Sequence, residues 1–156
     1  MAEKKNRVSE IKVMAILNYT TSINVEKTST EIQTLLAKAG AQAIMNEYDE
    51  GVINCISFRM MTPHGAIFFK LPANIQGVYK SLQAEAQPRY RTKEQASKVA
   101  WRIVKNWIEA QLAMIEAQQA DMVELFLPFA QDNTGLTVYE KLKGNEFKLL
   151  THDSKV

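Results

Sequence analysis

From Thr92 to Ala120 the chain reads TKEQASKVAWRIVKNWIEAQLAMIEAQQA, with no glycine and no proline. Ala96, Ala100, Ile103, Trp107 and Met114 fall on one stripe, with Trp101, Val104, Ile108, Leu112 and Ile115 beside it. This 3.6-residue periodicity predicts a long amphipathic helix with a wide apolar face. Thr92 and Gln95 form a capping-box start, in which the hydroxyl accepts from the first turn and the glutamine reaches back.

Before it, Ile11 to Thr21 is apolar and β-branched and predicts a first strand. VEKTSTEIQTLLAKAG carries a second capping signature, Thr28 and Glu31, and a stripe of Ile32, Leu35, Leu36 and Ala39, closed by Gly40. Gln42 to Tyr48, Val52 to Thr62 and Ala66 to Leu71 alternate as strands, joined by Asp49-Glu50-Gly51 and Pro63-His64-Gly65. Pro72 to Asn74 starts a short helix on Ile75, Val78 and Leu82. After the long helix, Met122 to Leu127 and Leu136 to Leu142 are short helical segments. The order β-α-β-β-β-α-α predicts an α+β fold: a mainly antiparallel four-stranded sheet covered on one face by the long helix. Residues 1–142 form one domain, residues 143–156 a mobile tail, and the chain is loosely ordered through Arg7.

A sheet covered on one face exposes the other. Along the second meander strand Ile53, Cys55, Ser57, Arg59 and Met61 share one parity, and in the third strand Ala66, Phe68 and Lys70 share one. Taking the cationic parity as solvent-facing places Phe68 on the open face between Arg59 and Lys70. An exposed aromatic flanked by cations suits stacking of an unpaired base.

Charge adds a second feature. The net charge is only +2, but it averages opposite local balances. Arg89, Arg91, Lys93, Lys98, Arg102 and Lys105 stand against Glu94 alone, whereas Asn106 to Glu140 holds six acids and no Lys or Arg. The basic helix start is either a solvated face or a site for phosphates or an acidic partner.

Candidate chemistry is sparse. His64 lies in a turn and His152 in the tail, Cys55 lies alone in a strand, and Glu47, Asp49 and Glu50 surround a tight turn. There is no phosphate-binding glycine loop, metal-ligand spacing or nucleophile motif. A single cysteine and the absence of an apolar leader or spanning run predict a cytoplasmic protein with no cofactor and no membrane partner.

The run EYDEGVINCISFRMMTPHGAIFFKLPAN, preceded by NYTTSINVEKTSTEIQTLLAKAGA and followed by QASKVAWRIVKNWIEAQLAMIEAQQADMVELFLPF, resembles a family of small proteins encoded by bacteriophages and prophages. The likeness runs from about Asn18 to Leu142. It implies a phage or mobile-element setting, in a bacterial host cell, and no catalytic residues. A meander packed on a long helix also resembles, in fold alone, the core of single-strand annealing proteins.

The resulting expectation is a non-enzymatic, single-strand-preferring DNA- or RNA-binding protein of replication or recombination. Its contacts would be Arg59, Phe68, Lys70, Arg89, Arg91, Lys98, Arg102 and Lys105. The alternative is an interaction protein that binds or inhibits a bacterial host protein, such as a defence factor. A third reading is a small nucleotide-binding or hydrolytic enzyme using His64. Homo-oligomerisation is expected in addition, because Leu112, Met114, Ile115 and MVELFLPF read as a protruding apolar end.

Overall fold

The computed structural model describes residues 15–152. The elements in order are α1 (Val25–Lys38), β1 (Ala43–Asp49), β2 (Val52–Thr62), β3 (Gly65–Pro72), α2 (Ile75–Leu82), α3 (Lys93–Glu116), α4 (Met122–Phe126) and α5 (Val138–Gly144), with 3-10 turns at Pro88–Tyr90 and Leu127–Phe129. The class is α+β, as expected. The sheet, however, is a three-stranded antiparallel meander in the order β1-β2-β3, not four-stranded.

The fourth strand was expected at Ile11 to Thr21. Residues 11–14 lie outside the described residues, and from Ala15 the backbone turns instead of extending. Asn18 adopts φ 64°, and Tyr19 and Thr21 donate backbone bonds to the carbonyls of Ile16 and Asn18. Gln95 Nε2 then donates to the carbonyl oxygens of both Tyr19 and Thr21, each at 2.9 Å. Strand propensity loses to a turn that α3 captures with one amide. The loose order expected through Arg7 and the last residues of the expected tail, 153–156, also lie outside the described residues.

Helix starts follow their caps. Thr92 accepts from Gln95 N, as expected for α3, but the Gln95 side chain does not reach back to complete a capping box and binds Tyr19 and Thr21 instead. Helix α1 begins earlier than its Thr28 signature implies, because Asn24 Oδ1 accepts from Lys27 N at 2.8 Å and captures the first turn. Thr28 is then interior to the helix and buried. Helix α3 stops at Glu116, where Gln118 takes φ 58°. Its 24 residues span about 36 Å.

The helices cover one face of the sheet. Ile56, Phe58 and Met60 of β2 face Leu71, Phe69 and Ile67 of β3 across the ladder, and they pack with Ile32, Leu36, Trp101, Ile108 and Phe126. The apolar end of α3 does not protrude. Phe126 is buried, its ring meets Trp107 at 5.1 Å, and Phe129 meets Trp107 at 5.4 Å. MVELFLPF thus folds back on α3, burying Phe126 while Leu127 stays 45% exposed, so part of the apolar surface behind the oligomer expectation is covered within the chain.

One irregularity in β2 sets the faces. Glu47 pairs with Cys55 and Tyr48 with Ile53, so Asn54 is the extra residue of a β-bulge. The bulge reverses the parity expected for Ile53. It leaves the side of Cys55 and joins the core. After Ala120 the chain crosses to the far edge of β3, where Ala130 bridges Phe69 and Gln131 N donates to Phe68 O at 2.8 Å. The boundary expected after residue 142 falls inside α5, and Phe147 beyond it packs on Tyr139 at 5.7 Å. Among the described residues no helix is long and apolar enough to cross a membrane.

Candidate functional site

The face of the sheet away from the helices carries three cross-strand rows. Ala43, Arg59 and Phe68 form the first; Met45, Ser57 and Lys70 the second; Glu47, Cys55 and Pro72 the third. Met61, paired with Ala66, lies beyond the first row. Phe68 is 52% exposed, Met45 56% and Met61 57%. Three large apolar side chains, each more than half in water, therefore share one face. Arg59 lies over the Phe68 ring, its guanidinium carbon 5.9 Å from the centroid. A shallow depression of about 310 Å³ beside them is lined by Met45, Ser57, Arg59, Phe68 and Gln131, among others.

The cations of this face differ. Lys70 Nζ lies 3.6 Å from Glu47 Oε2, so its charge is largely met within the chain. Arg59 has no carboxylate within ion-pair distance among the described residues, and its Nε is buried without a hydrogen-bond partner. Cys55 sits under the same face. Burial, the main cause, pushes its thiol up to about 11, which leaves little thiolate at neutral pH.

The basic residues of the helix start lie elsewhere. Arg102 pairs with Glu31 of α1 through Nη1 and Oε2, and this hydrogen bond is the main reason the Glu31 carboxyl is held below its ordinary range. Lys105 pairs with Glu109 at 2.7 Å and Lys98 with Glu94 at 3.8 Å. Arg91 holds its own loop, donating to the carbonyls of Glu85 at 2.7 Å and Ala86 at 3.0 Å. Arg89 covers the Tyr90 ring at 4.7 Å. Since α3 packs on the covered face, the helix cluster and the Phe68 face point to different sides of the molecule. The structure brings together Arg59, Phe68 and Lys70 and separates them from Arg89, Arg91, Lys98, Arg102 and Lys105.

Alternation along the strands signalled Phe68 and Met61; Met45 belongs to the same face by its pairing with Ser57 and went unnoticed in the sequence. Gln131 carried no signal, because its place beside Phe68 depends on the return of the chain to β3. His64 is exposed in the β2–β3 turn, where its N–H donates to Thr62 Oγ1 at 3.1 Å. Among the described residues no three His, Cys, Asp or Glu side chains gather as a metal site would need. Comparison with protein-family models, with curated proteins and with solved structures finds no match to this chain.

Proposed function

We propose that the chain is a non-enzymatic interaction protein whose open sheet face docks a protein partner. The observation that carries this reading is the joint exposure of Met45, Met61 and Phe68 on one face. A flat apolar patch with a flexible thioether on either side of an aromatic ring adapts to a partner's side chains and gains free energy by leaving water. The phage resemblance implies that this partner belongs to the bacterial host. Binding of single-stranded nucleic acid is the second reading, favoured by the cation of Arg59 held over the Phe68 ring. Against it stands the pairing of Lys70, Lys98, Arg102 and Lys105 with carboxylates, because a phosphate track needs cations that exchange counterions rather than internal partners.

Affinity capture from host extract, run side by side with wild-type, Phe68→Asp, Met61→Lys and Lys80→Glu proteins, separates the readings. The proposal expects one protein retained by wild type and Lys80→Glu and lost from both open-face variants. Capture indifferent to Phe68 and Met61 overturns it. Oligonucleotide binding at low salt that requires Phe68 transfers the face to the second reading.

A further inference from the structure

The two edges of the sheet are treated differently. The outer edge of β3 is covered by Ala130 and Gln131, which pair with Phe69 and Phe68. The outer edge of β1 makes no backbone hydrogen bond to any described residue. Such an edge is a template for another strand unless charge, proline or a bulge blunts it. Here the bulge lies in β2, so β1 itself stays regular. Its first half, Ala43-Ile44-Met45-Asn46, carries no charge and no proline.

We infer that two copies of this chain pair through β1 about a two-fold axis at Met45, joining their sheets into one six-stranded sheet. The occupant follows from the pattern of β1, which is complementary to its own reverse. With Met45 opposite the second copy's Met45, Ala43 faces the second copy's Glu47 and Ile44 faces its Asn46. No like charges meet. Both open faces then lie on the same side, because the axis is normal to the sheet, and the two exposed methionines cover one another.

The row through Arg59 supplies the complementary charge. It runs Phe68, Arg59, Ala43 in one copy and continues into Glu47 and Cys55 of the second. Arg59 and the second copy's Glu47 lie two strands apart, about 10 Å between backbones, with only the small Ala43 between them. An arginine that swings from the Phe68 ring and extends across Ala43, together with the glutamate, closes that gap. Among the described residues Arg59 is the cation of this face that has no carboxylate and whose Nε lacks a partner, and the Glu47 side chain is 40% exposed, open to a second cation beside Lys70. Two symmetry-related Arg59–Glu47 pairs would flank the Met45 contact. This pairing goes beyond the docking reading: it uses the strand edge, takes Met45 out of the patch, and leaves Phe68 and Met61 open to a partner.

Sedimentation and cysteine cross-linking test the inference directly. Wild type at tens of micromolar should sediment at twice the 17.7 kDa chain mass, and Met45→Lys, which sets like charges opposite each other, should sediment as a folded monomer. Arg59→Glu and Glu47→Arg should each be monomeric, and the double variant should recover the dimer. Met45→Cys should oxidise to a covalent dimer, since directly opposed Cα atoms lie about 4.5–5.5 Å apart, within disulfide reach. Met61→Cys, exposed but away from the edge, should not. A monomer at every concentration overturns the inference, as does a dimer that survives Met45→Lys, a Met45→Cys protein that fails to cross-link, or a double variant that stays monomeric. A strand captured from another protein by a monomeric chain is one such contrary result.

Discussion

The indole Nε1 of Trp101 donates a 2.7 Å hydrogen bond to the carbonyl oxygen of Ile53. Both residues are buried, and Ile53 stands next to the Asn54 bulge, so α3 is fixed to the sheet where the ladder changes register. Trp101→Phe should keep most of the packing but strand a buried carbonyl, costing about 1–3 kcal/mol. Trp101→Ala adds a cavity and should cost about 3–5 kcal/mol. Denaturant unfolding checks both, and equal midpoints for the two variants would contradict this division.

Arg102 has a structural task in this fold. Its contact with Glu31 ties α3 to α1, and the arginine side chain is only 15% exposed. Arg102→Ala should lower stability by about 0.5–1 kcal/mol. The melting midpoint should fall by about 2–4 °C per kcal/mol for a chain of this size. An unchanged midpoint would return Arg102 to the solvent and reopen a phosphate role for it.

Acid should loosen the C-terminal loop first. Lys141, 2.8 Å away, and then Thr134 are the main causes that hold the Asp132 carboxyl well below its ordinary range. A carboxyl whose folded pKa is depressed stabilises the fold above its unfolded pKa, and that contribution is lost as pH falls below about 4. Asp132→Asn should therefore flatten the pH dependence of stability below that point and leave its slope near neutrality unchanged. Thermal midpoints between pH 2 and 7 read this directly; parallel curves for the two proteins would contradict it.

Cys55 should be inert in the native protein. With its thiol pushed up to about 11 and its side chain buried, a thiol reagent at neutral pH should label it only after denaturation. Rapid labelling of the folded chain would show that the sheet opens beneath Glu47 and Lys70.

Much of this arrangement was legible in the pattern of residues. Val52 to Thr62 reads as a strand from alternation alone, and Thr92 marks the start of α3 by its hydroxyl. The parity of Phe68 followed from that of Lys70. What misled was local propensity where a distant residue decides: β-branched Ile11 to Thr21 reads as a strand until Gln95 takes two of its carbonyls, 74 and 76 positions away. Bulges leave no mark of their own in composition, so Ile53 was assigned to the wrong face. MVELFLPF looked like uncovered surface because nothing in its sequence says that Phe126 meets Trp107. Counting cations likewise could not reveal that Glu31, Glu94 and Glu109 pair with Arg102, Lys98 and Lys105.

If the open sheet face and not the basic helix start engages the partner, contacts should map to Met61 and not to Lys98. Photo-cross-linking in host cells tests it most directly, with the reactive side chain placed at position 61 in one protein and at position 98 in another. The expected result is a discrete protein adduct from position 61, lost when Phe68 is changed to Asp, and none from position 98. Adducts only from position 98, or nucleic acid captured at either position, would contradict it.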